Sequence, residues 1–81
     1  MPANNSDRFS SVVSAVLGVA ADQIDDTLSP DSVDTWDSLN QINLVSALEQ
    51  EFGVTFVVDD LGRYQSVVRL KALLKDHGVA V

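Results

Sequence analysis

The chain has 81 residues, enough for one small domain but too few for the two-lobed clefts in which most enzymes hold a substrate. Apolar residues make up 46% of it, which predicts a folded core, and the absence of cysteine excludes disulfides, a thiolate nucleophile and zinc–thiolate sites. Five basic against twelve acidic residues give a net charge of −7, which argues against binding to nucleic acid or membranes and favours partners with basic surfaces.

The acidic residues are concentrated in one part of the chain. No Lys or Arg occurs between Arg8 and Arg63. The acids in that interval are Asp22, Asp25, Asp26, Asp31, Asp34, Asp37, Glu49, Glu51, Asp59 and Asp60. Such a region either only keeps the protein soluble or docks against basic surfaces of other proteins, and the charge pattern leaves both interpretations open.

The first predicted helix covers residues 6–17. Ser6 or Asp7 is expected to cap its start, and Gly18 to end it. Apolar residues recur there with helical spacing, at Phe9, Val12, Val13, Val16 and Leu17.

The stretch 11–21 is small and apolar enough to suggest the core of a secretory signal peptide. Its charged flank is weak, however, because Asp7 opposes Arg8, and removing it would delete an apolar face that the short chain needs. No apolar run approaches the length needed to cross a bilayer. We therefore expect a cytoplasmic protein.

Residues 22–37 are polar and predict a long loop, with one helical turn around residues 21–24. A long loop in a small domain needs anchors in the core. The apolar candidates in this loop are Ile24, Leu28 and Val33.

The second predicted helix, over residues 38–52, has the strongest periodicity in the chain, and Gly53 is expected to end it. Leu39 and Ile42 lie at the edge of the apolar stripe and are predicted to face a partner. The inward-facing residues are predicted to be Leu44, Val45, Leu48 and Phe52. The residues facing water are predicted to be Glu49, Gln50 and Glu51.

The rest of the chain is predicted to be helical as well. Residues 54–58 have strand propensity but no second strand to pair with, so they are read as an extended connector to a short helix over 58–62 that ends at Gly62. Ser66 is expected to cap a last helix over 66–77, closed by Gly78. Its inward-facing residues are predicted to be Val67, Leu70, Leu73 and Leu74. The fold class is therefore all-α, a small four-helix bundle of three main helices and one short one, in a single domain over residues 1–81.

No residue pattern supports catalysis or a metal site. His77 is the only histidine, and the last turn of a helix is a sufficient structural place for it. The carboxylate pairs Asp25–Asp26 and Asp59–Asp60 lack the Gly and the closing Glu of a calcium loop. We expect neither an enzyme nor a metal protein.

The start of the second helix is the remaining candidate site. Ser38 fits an ordinary N-cap, and Gln41, three residues later, would complete a capping box. A hydroxyl at this position also suits a phosphate-bearing attachment, because free N–H groups and the helix dipole favour an anion there.

The motif Asp37-Ser38-Leu39, followed by a helix that ends with Leu-Glu-Gln-Glu-Phe-Gly at residues 48–53, resembles the acyl carrier proteins, and the similarity covers residues 9–74. In that family a phosphopantetheinyl transferase moves 4′-phosphopantetheine from coenzyme A to the motif serine, and acyl groups are carried as thioesters on the terminal thiol of the arm. The resemblance implies that Ser38 is the attachment point, with Asp37 and Leu39 as its flanking motif. The implied docking residues are Asp37, Leu39, Ile42 and Glu49.

The implied partners, besides the transferase, are acyl-activating or acyl-transfer enzymes and condensing enzymes with basic docking surfaces, visited by a monomeric carrier. Reversing Asp37 and Glu49 to Lys is expected to weaken docking and to leave the fold intact. Neutral Asn40, Asn43 and Ser46 stand where members of general fatty acid synthesis usually carry acids or a large apolar residue, and Trp36 is unusual too, which suggests a specialised pathway of fatty acid, polyketide or related synthesis.

Two alternatives to an acyl carrier remain open from the sequence. The first is an aminoacyl carrier of the D-alanyl type, which would keep the arm and change the cargo. The second is an unmodified helical interaction module in which Ser38 is only a cap. The Asp before the serine and the lack of a Gly-Gly motif favour acyl over peptidyl carriers.

Overall fold

The computed structural model describes residues 4–56 and 61–81, apart from the side chains of residues 61 and 62. This part of the chain is helical and contains no strand. The three main helices are α1 (Asn5–Leu17), α2 (Ser38–Phe52) and α3 (Val67–Asp76), and the 3₁₀ helices are Ala21–Gln23 and Leu61–Tyr64. The prediction of a small all-α bundle with three main helices is confirmed.

α1 begins one residue earlier than expected. Asn4 is the N-cap, and its side-chain oxygen accepts a hydrogen bond from the backbone N–H of Asp7 at 2.8 Å. The prediction that Ser6 or Asp7 caps the helix is therefore wrong. Gly18 ends α1 as predicted, in a left-handed conformation (φ 71°) that residues with a side chain rarely adopt.

The core lies between the three helices and includes part of the long loop. The predicted inward faces of α1 and α3 are confirmed, as are Leu44, Val45 and Leu48 of α2. The buried apolar residues are Phe9, Val13, Leu17, Val33, Trp36, Leu44, Val45, Leu48, Val67, Leu70, Leu73 and Leu74. Trp36 is an addition that the periodicity of the helices did not predict.

Phe52 only borders the core. It is partly buried, and the guanidinium of Arg8 lies 4.7 Å from the centre of its ring. Arg8 also pairs with the carboxylate of Glu51 at 3.4 Å, with both side chains more than one third exposed. The end of α2 is therefore covered by a charged side chain from α1, and Phe52 is less deeply placed than its helical spacing predicts.

The loop between α1 and α2 is fastened to the bundle at several points. Val33 is buried, and Ile24 and Leu28 are partly buried against the core, so all three predicted anchors are confirmed. The carbonyl of Leu28 also accepts the first backbone N–H of α3, from Val67, at 3.1 Å. The expected turn is the 3₁₀ helix Ala21–Gln23.

The connector between α2 and α3 is described only in part. Residues 54–56 form neither helix nor strand, in agreement with a connector, whereas 57 and 58 of the predicted connector and 58–60 of the predicted short helix lie outside the described residues. The described 3₁₀ helix Leu61–Tyr64 contains Gly62, so the prediction that the short helix ends at that glycine is wrong.

α3 has the predicted caps. The hydroxyl of Ser66 accepts the backbone N–H of Arg69 at 3.1 Å, and Gly78 (φ 85°) follows the C-cap residue His77. His77 lies with its ring against the edge of Phe56, at 5.1 Å between centroids, and its Nδ1 is 2.9 Å from the carbonyl of Leu73. These contacts give the single histidine a structural role at the end of the bundle.

Candidate functional site

Ser38 is the first residue of α2, and Asp37 is the cap that precedes it. The Asp37 backbone is extended, and its Oδ1 accepts the backbone N–H of Asn40 at 2.8 Å. Ser38 is exposed, and no described residue forms a hydrogen bond with its hydroxyl. The prediction that Ser38 is the N-cap is therefore wrong, and its hydroxyl is left accessible.

Gln41 does not complete a capping box. Its side chain is only 2% exposed, and its Oε1 accepts the indole N–H of Trp36 at 2.8 Å. The amide points into the core because Trp36, itself buried, needs an acceptor for its only polar hydrogen. A buried hydrogen bond thus connects the residue two before Ser38 to the residue three after it.

Thr35 holds the residues just before α2 in place through hydrogen bonds of both its hydroxyl and its carbonyl. Its hydroxyl donates to the carbonyl of Leu17, the last residue of α1, at 2.7 Å. Its own carbonyl accepts the side-chain amide of Asn40 at 2.6 Å and the backbone N–H of Asp37 at 3.0 Å. From the sequence, Asn40 is only a neutral residue in place of an acid. In the structure its side-chain amide donates a hydrogen bond to the Thr35 carbonyl of the loop.

A cleft of about 410 Å³ lies between the residues at and just after the end of α1 and the later part of this loop. Leu17, Val19, Leu28 and Val33 contribute apolar surface to it, and the remaining lining is largely polar. The loop therefore does not pack closely on α1 along its whole length. Buried Val33 and the Thr35 hydrogen bond hold it next to Ser38.

The residues predicted to dock partners do not all have the same environment. Leu39 and Ile42 are 66% and 51% exposed, which is unusual for large apolar side chains and agrees with a surface that faces a partner. Asp37 is exposed as well. Glu49 is different, because it is partly buried and its Oε2 accepts the backbone N–H of Phe56 at 3.0 Å.

The contacts of Asp37 and Glu49 change what charge reversal would do. A lysine at position 37 could not accept the Asn40 N–H, and a lysine at position 49 could not accept that of Phe56. Each reversal therefore removes a hydrogen bond that the sequence did not predict, and the expectation that both leave the fold intact stays a prediction. The prediction that Glu49 faces water is wrong, since its carboxylate fastens the connector after α2.

The first turn of α2 fits a phosphodiester on Ser38. The Asp37 carboxylate takes the N–H of Asn40, and within the described residues the backbone N–H groups of Ser38 and Leu39 have no acceptor. Unpaired N–H groups at a helix start and the positive end of its dipole attract an anion. The exposed hydroxyl lies in the same turn, so the residues present can both take and stabilise such a group.

Other candidate sites find structural explanations in the described residues. Asp25 accepts hydrogen bonds from the hydroxyl and the backbone N–H of Thr27, and the hydroxyl bond is the main reason that the pKa of Asp25 is lowered. Asp26 pairs with Lys71 at 3.2 Å. The described residues contain no group of three or more metal-ligating side chains and no helix long and apolar enough to cross a membrane, while the pair at 59 and 60 lies outside them.

Comparison with known proteins agrees with this site. Residues 7–74 match the PP-binding family, described as a phosphopantetheine attachment site. No curated protein matches the chain. The match covers nearly the whole domain, including most of α1 and α3, all of α2 and the motif around Ser38. The resemblance to acyl carrier proteins is thereby confirmed: the chain belongs to the phosphopantetheine-binding carrier family, a non-catalytic family, and carries 4′-phosphopantetheine covalently on a serine.

Proposed function

We propose that Ser38 is the serine that carries the arm, and that the protein is a monomeric, cytoplasmic acyl carrier of a specialised fatty acid, polyketide or related pathway. The observation that carries the proposal is the exposed Ser38 hydroxyl in the first turn of α2, beside backbone N–H groups without an acceptor. The thiol at the end of the arm holds acyl groups as thioesters for partner enzymes.

Ser66 provides an internal comparison for Ser38. Both serines stand at the start of a helix within the family match. The hydroxyl of Ser66 is engaged as the cap of α3 and the residue is partly buried. At α2 the cap is Asp37, so the hydroxyl of Ser38 is free of that role. Because Asp37 caps α2, the Ser38 hydroxyl is not needed for capping, and this favours Ser38 as the site of attachment.

In the loading reaction Ser38 acts as the nucleophile. Its Oγ attacks the phosphorus of coenzyme A that bears the pantetheine, a new P–O bond forms, and the pyrophosphate P–O bond breaks. The leaving group is adenosine 3′,5′-bisphosphate, and the serine proton passes to a base of the transferase. Within this chain, the N–H groups of Ser38 and Leu39 are positioned to stabilise the resulting phosphodiester.

The exposed surface around Ser38 supports a carrier that docks by both apolar and acidic contacts. Leu39 and Ile42 supply the apolar part, and Asp37 supplies charge next to the serine. Basic surfaces on a transferase, an acyl-activating or acyl-transfer enzyme and a condensing enzyme would complement it. Exposed, uncharged Asn43 and Ser46 on the same helix support dedicated partners rather than those of general fatty acid synthesis.

The test of attachment is the intact mass after incubation with coenzyme A and a promiscuous phosphopantetheinyl transferase. We expect the wild type to gain one phosphopantetheinyl group and Ser38→Ala to gain none. Ser46→Ala is the matched control, because Ser46 is an exposed serine of the same helix, and it should be modified like the wild type. No gain by a folded wild type, beside a carrier that is modified, would refute the proposal.

The cargo requires a separate test. The loaded protein would be offered to acyl-activating and amino-acid-activating ligases, each with its acid and ATP, and the mass of the product would be measured. We expect acylation by a carboxylic acid. Charging with an amino acid alone would favour an aminoacyl carrier and would leave the attachment to Ser38 untouched.

A further inference from the structure

Trp36 and Gln41 form a buried polar pair across the attachment segment. Their side chains are 3% and 2% exposed, and 2.8 Å separates the indole Nε1 from the amide Oε1. Ser38 lies between them in the chain and is exposed. The only tryptophan of the protein is thus placed two residues before the proposed nucleophile.

Two apolar side chains at positions 36 and 41 could fill the same volume, but they would not fix the orientation of one side chain relative to the other. A hydrogen bond between buried groups has one acceptable geometry, because an indole N–H or an amide oxygen left unpaired in the core is unfavourable. The indole is anchored in the main core cluster with Leu44 and Leu48 of α2. The pair therefore fixes where the loop chain enters α2, and with it the backbone position of Ser38.

Neighbouring bonds hold the same short segment from its outer side. Thr35 is bound to the end of α1, and Asn40 is bound to the carbonyl of Thr35. Asp37 closes the first turn of the helix on Asn40. A cleft borders this segment on the side of the preceding loop, so these bonds and the Trp36–Gln41 pair are the polar contacts that hold residues 35–41 in position.

We propose that Trp36 and Gln41 are positioning residues for the modification of Ser38: their buried hydrogen bond sets the pose in which the Ser38 hydroxyl meets the transferase. The inference rests on the proposed function, in which Ser38 is the nucleophile. A reacting atom displaced by about 1 Å can lower a rate about 100-fold, so loss of the pair should act mainly on kcat. The docking residues Leu39 and Ile42 are retained, so KM for the carrier should change little.

Trp36→Phe is the primary variant, because it keeps an aromatic ring in the core and removes only the N–H donor and part of the ring. Leu73→Val is the matched control, since Leu73 is buried but does not belong to the core cluster that contains Trp36. Both are assayed with coenzyme A and transferase at a temperature where circular dichroism shows them folded. We expect kcat to fall about tenfold or more in Trp36→Phe and to stay within about twofold of the wild type in Leu73→Val.

Gln41→Met provides a second test that does not depend on the folding of Trp36→Phe. It removes the acceptor and retains the tryptophan, whose emission then reports the local environment of the segment. We expect a change in the wavelength of that emission together with a lower kcat. Equal kcat values in the wild type, Trp36→Phe and Gln41→Met, with wild type modified, would overturn the positioning role alone. A wild type that is not modified would overturn the proposed function and this inference with it.

Discussion

Asp37 caps α2 through a 2.8 Å hydrogen bond from the Asn40 backbone N–H to its Oδ1, and this leaves the neighbouring Ser38 with an exposed, uncommitted hydroxyl. The aspartate thus has a structural task in addition to the docking role that we propose for its charge. These two tasks can be separated experimentally, because asparagine caps helices about as well as aspartate and has no charge.

We expect Asp37→Ala to lower the free energy of unfolding by about 0.5–2 kcal/mol and Asp37→Asn to leave it nearly unchanged. Urea unfolding followed by circular dichroism would measure both. If the charge matters for docking, Asp37→Asn should still lower kcat/KM of the transferase reaction. Equal destabilisation by Ala and Asn would contradict the capping role.

The apolar part of the proposed docking surface can be tested with a matched pair of residues. Ile42 on α2 and Val68 on α3 are 51% and 50% exposed. We expect Ile42→Ala to lower kcat/KM for modification of Ser38 about fivefold or more, as for an interface residue whose truncation costs above about 1 kcal/mol. Val68→Ala should not change it. Both melting temperatures should stay close to that of the wild type, and an equal effect of the two variants on kcat/KM would argue against a docking surface on α2.

The charge imbalance predicts a stability that rises with salt. The net charge is −7, and the two ion pairs seen among the described residues are both at least partly exposed, so repulsion between acids opposes folding. Raising sodium chloride from about 10 mM to about 0.5 M shortens the Debye length from about 30 Å to below about 8 Å and should raise the melting temperature. Divalent cations at millimolar concentration should act in the same direction.

The matched control for this prediction is the double variant Asp31→Asn and Asp34→Asn. Both residues are exposed, and neither forms a hydrogen bond or ion pair through its side chain in the described part of the chain. The variant removes two of the negative charges and should respond less to salt. A melting temperature independent of salt in the wild type would contradict the electrostatic account.

Asp25 gives a pH-dependent prediction with a definite sign. Its pKa is lowered from 3.8, mainly by the hydrogen bond from the Thr27 hydroxyl. A carboxyl whose pKa is lower in the folded state adds stability above its unfolded pKa, and this contribution is lost as the pH falls through the folded pKa. We expect Thr27→Val to raise the pKa of Asp25, and its loss of stability relative to the wild type to disappear at acidic pH.

Carboxyl NMR titration of Asp25 and unfolding at several pH values would test this. Thr55→Val is the control, because Thr55 is an exposed threonine with no contact to Asp25 in the structure, and it should not move the titration. An unchanged pKa in Thr27→Val would show that the backbone bond from Thr27 dominates instead.

Helical periodicity was sufficient to predict the three main helices and most of their buried faces. Residues such as Leu44 and Leu48 repeat at the spacing of one helix face, and this signal depends only on local geometry. Gly18 and Gly53 could be predicted as helix ends because a helix often ends in a left-handed backbone conformation, which glycine adopts readily. The motif around Ser38 could also be recognised from the sequence, because its residues are adjacent in the chain.

The helix starts were harder to predict because several good caps stand side by side. Asn4, Ser6 and Asp7 all lie at or near the start of α1 with side chains that accept hydrogen bonds, as do Asp37 and Ser38 at the start of α2. Their capping preferences are nearly equal, so the backbone conformation just before the helix decides between them. At both helices the first of these residues in the chain is the cap, Asn4 at α1 and Asp37 at α2.

The roles of Gln41 and Glu49 could not be predicted, because they depend on partners outside their own turn of helix. Gln41 is polar in sequence, and its burial becomes understandable once the Trp36 indole is placed against its amide oxygen. Glu49 looks like a surface residue until the connector places the N–H of Phe56 against it. Such bonds are set by tertiary packing, which periodicity does not describe.

The hydrogen bond from the Val67 N–H to the Leu28 carbonyl, at 3.1 Å, has a consequence for how loop motion can be observed. The first N–H of a helix has no partner inside the helix, so it normally exchanges quickly with solvent. Here its protection depends on a loop that is distant in sequence. The hydrogen–deuterium exchange rate of this one amide should therefore report how often the α1–α2 loop detaches from α3, while the rest of the bundle stays folded.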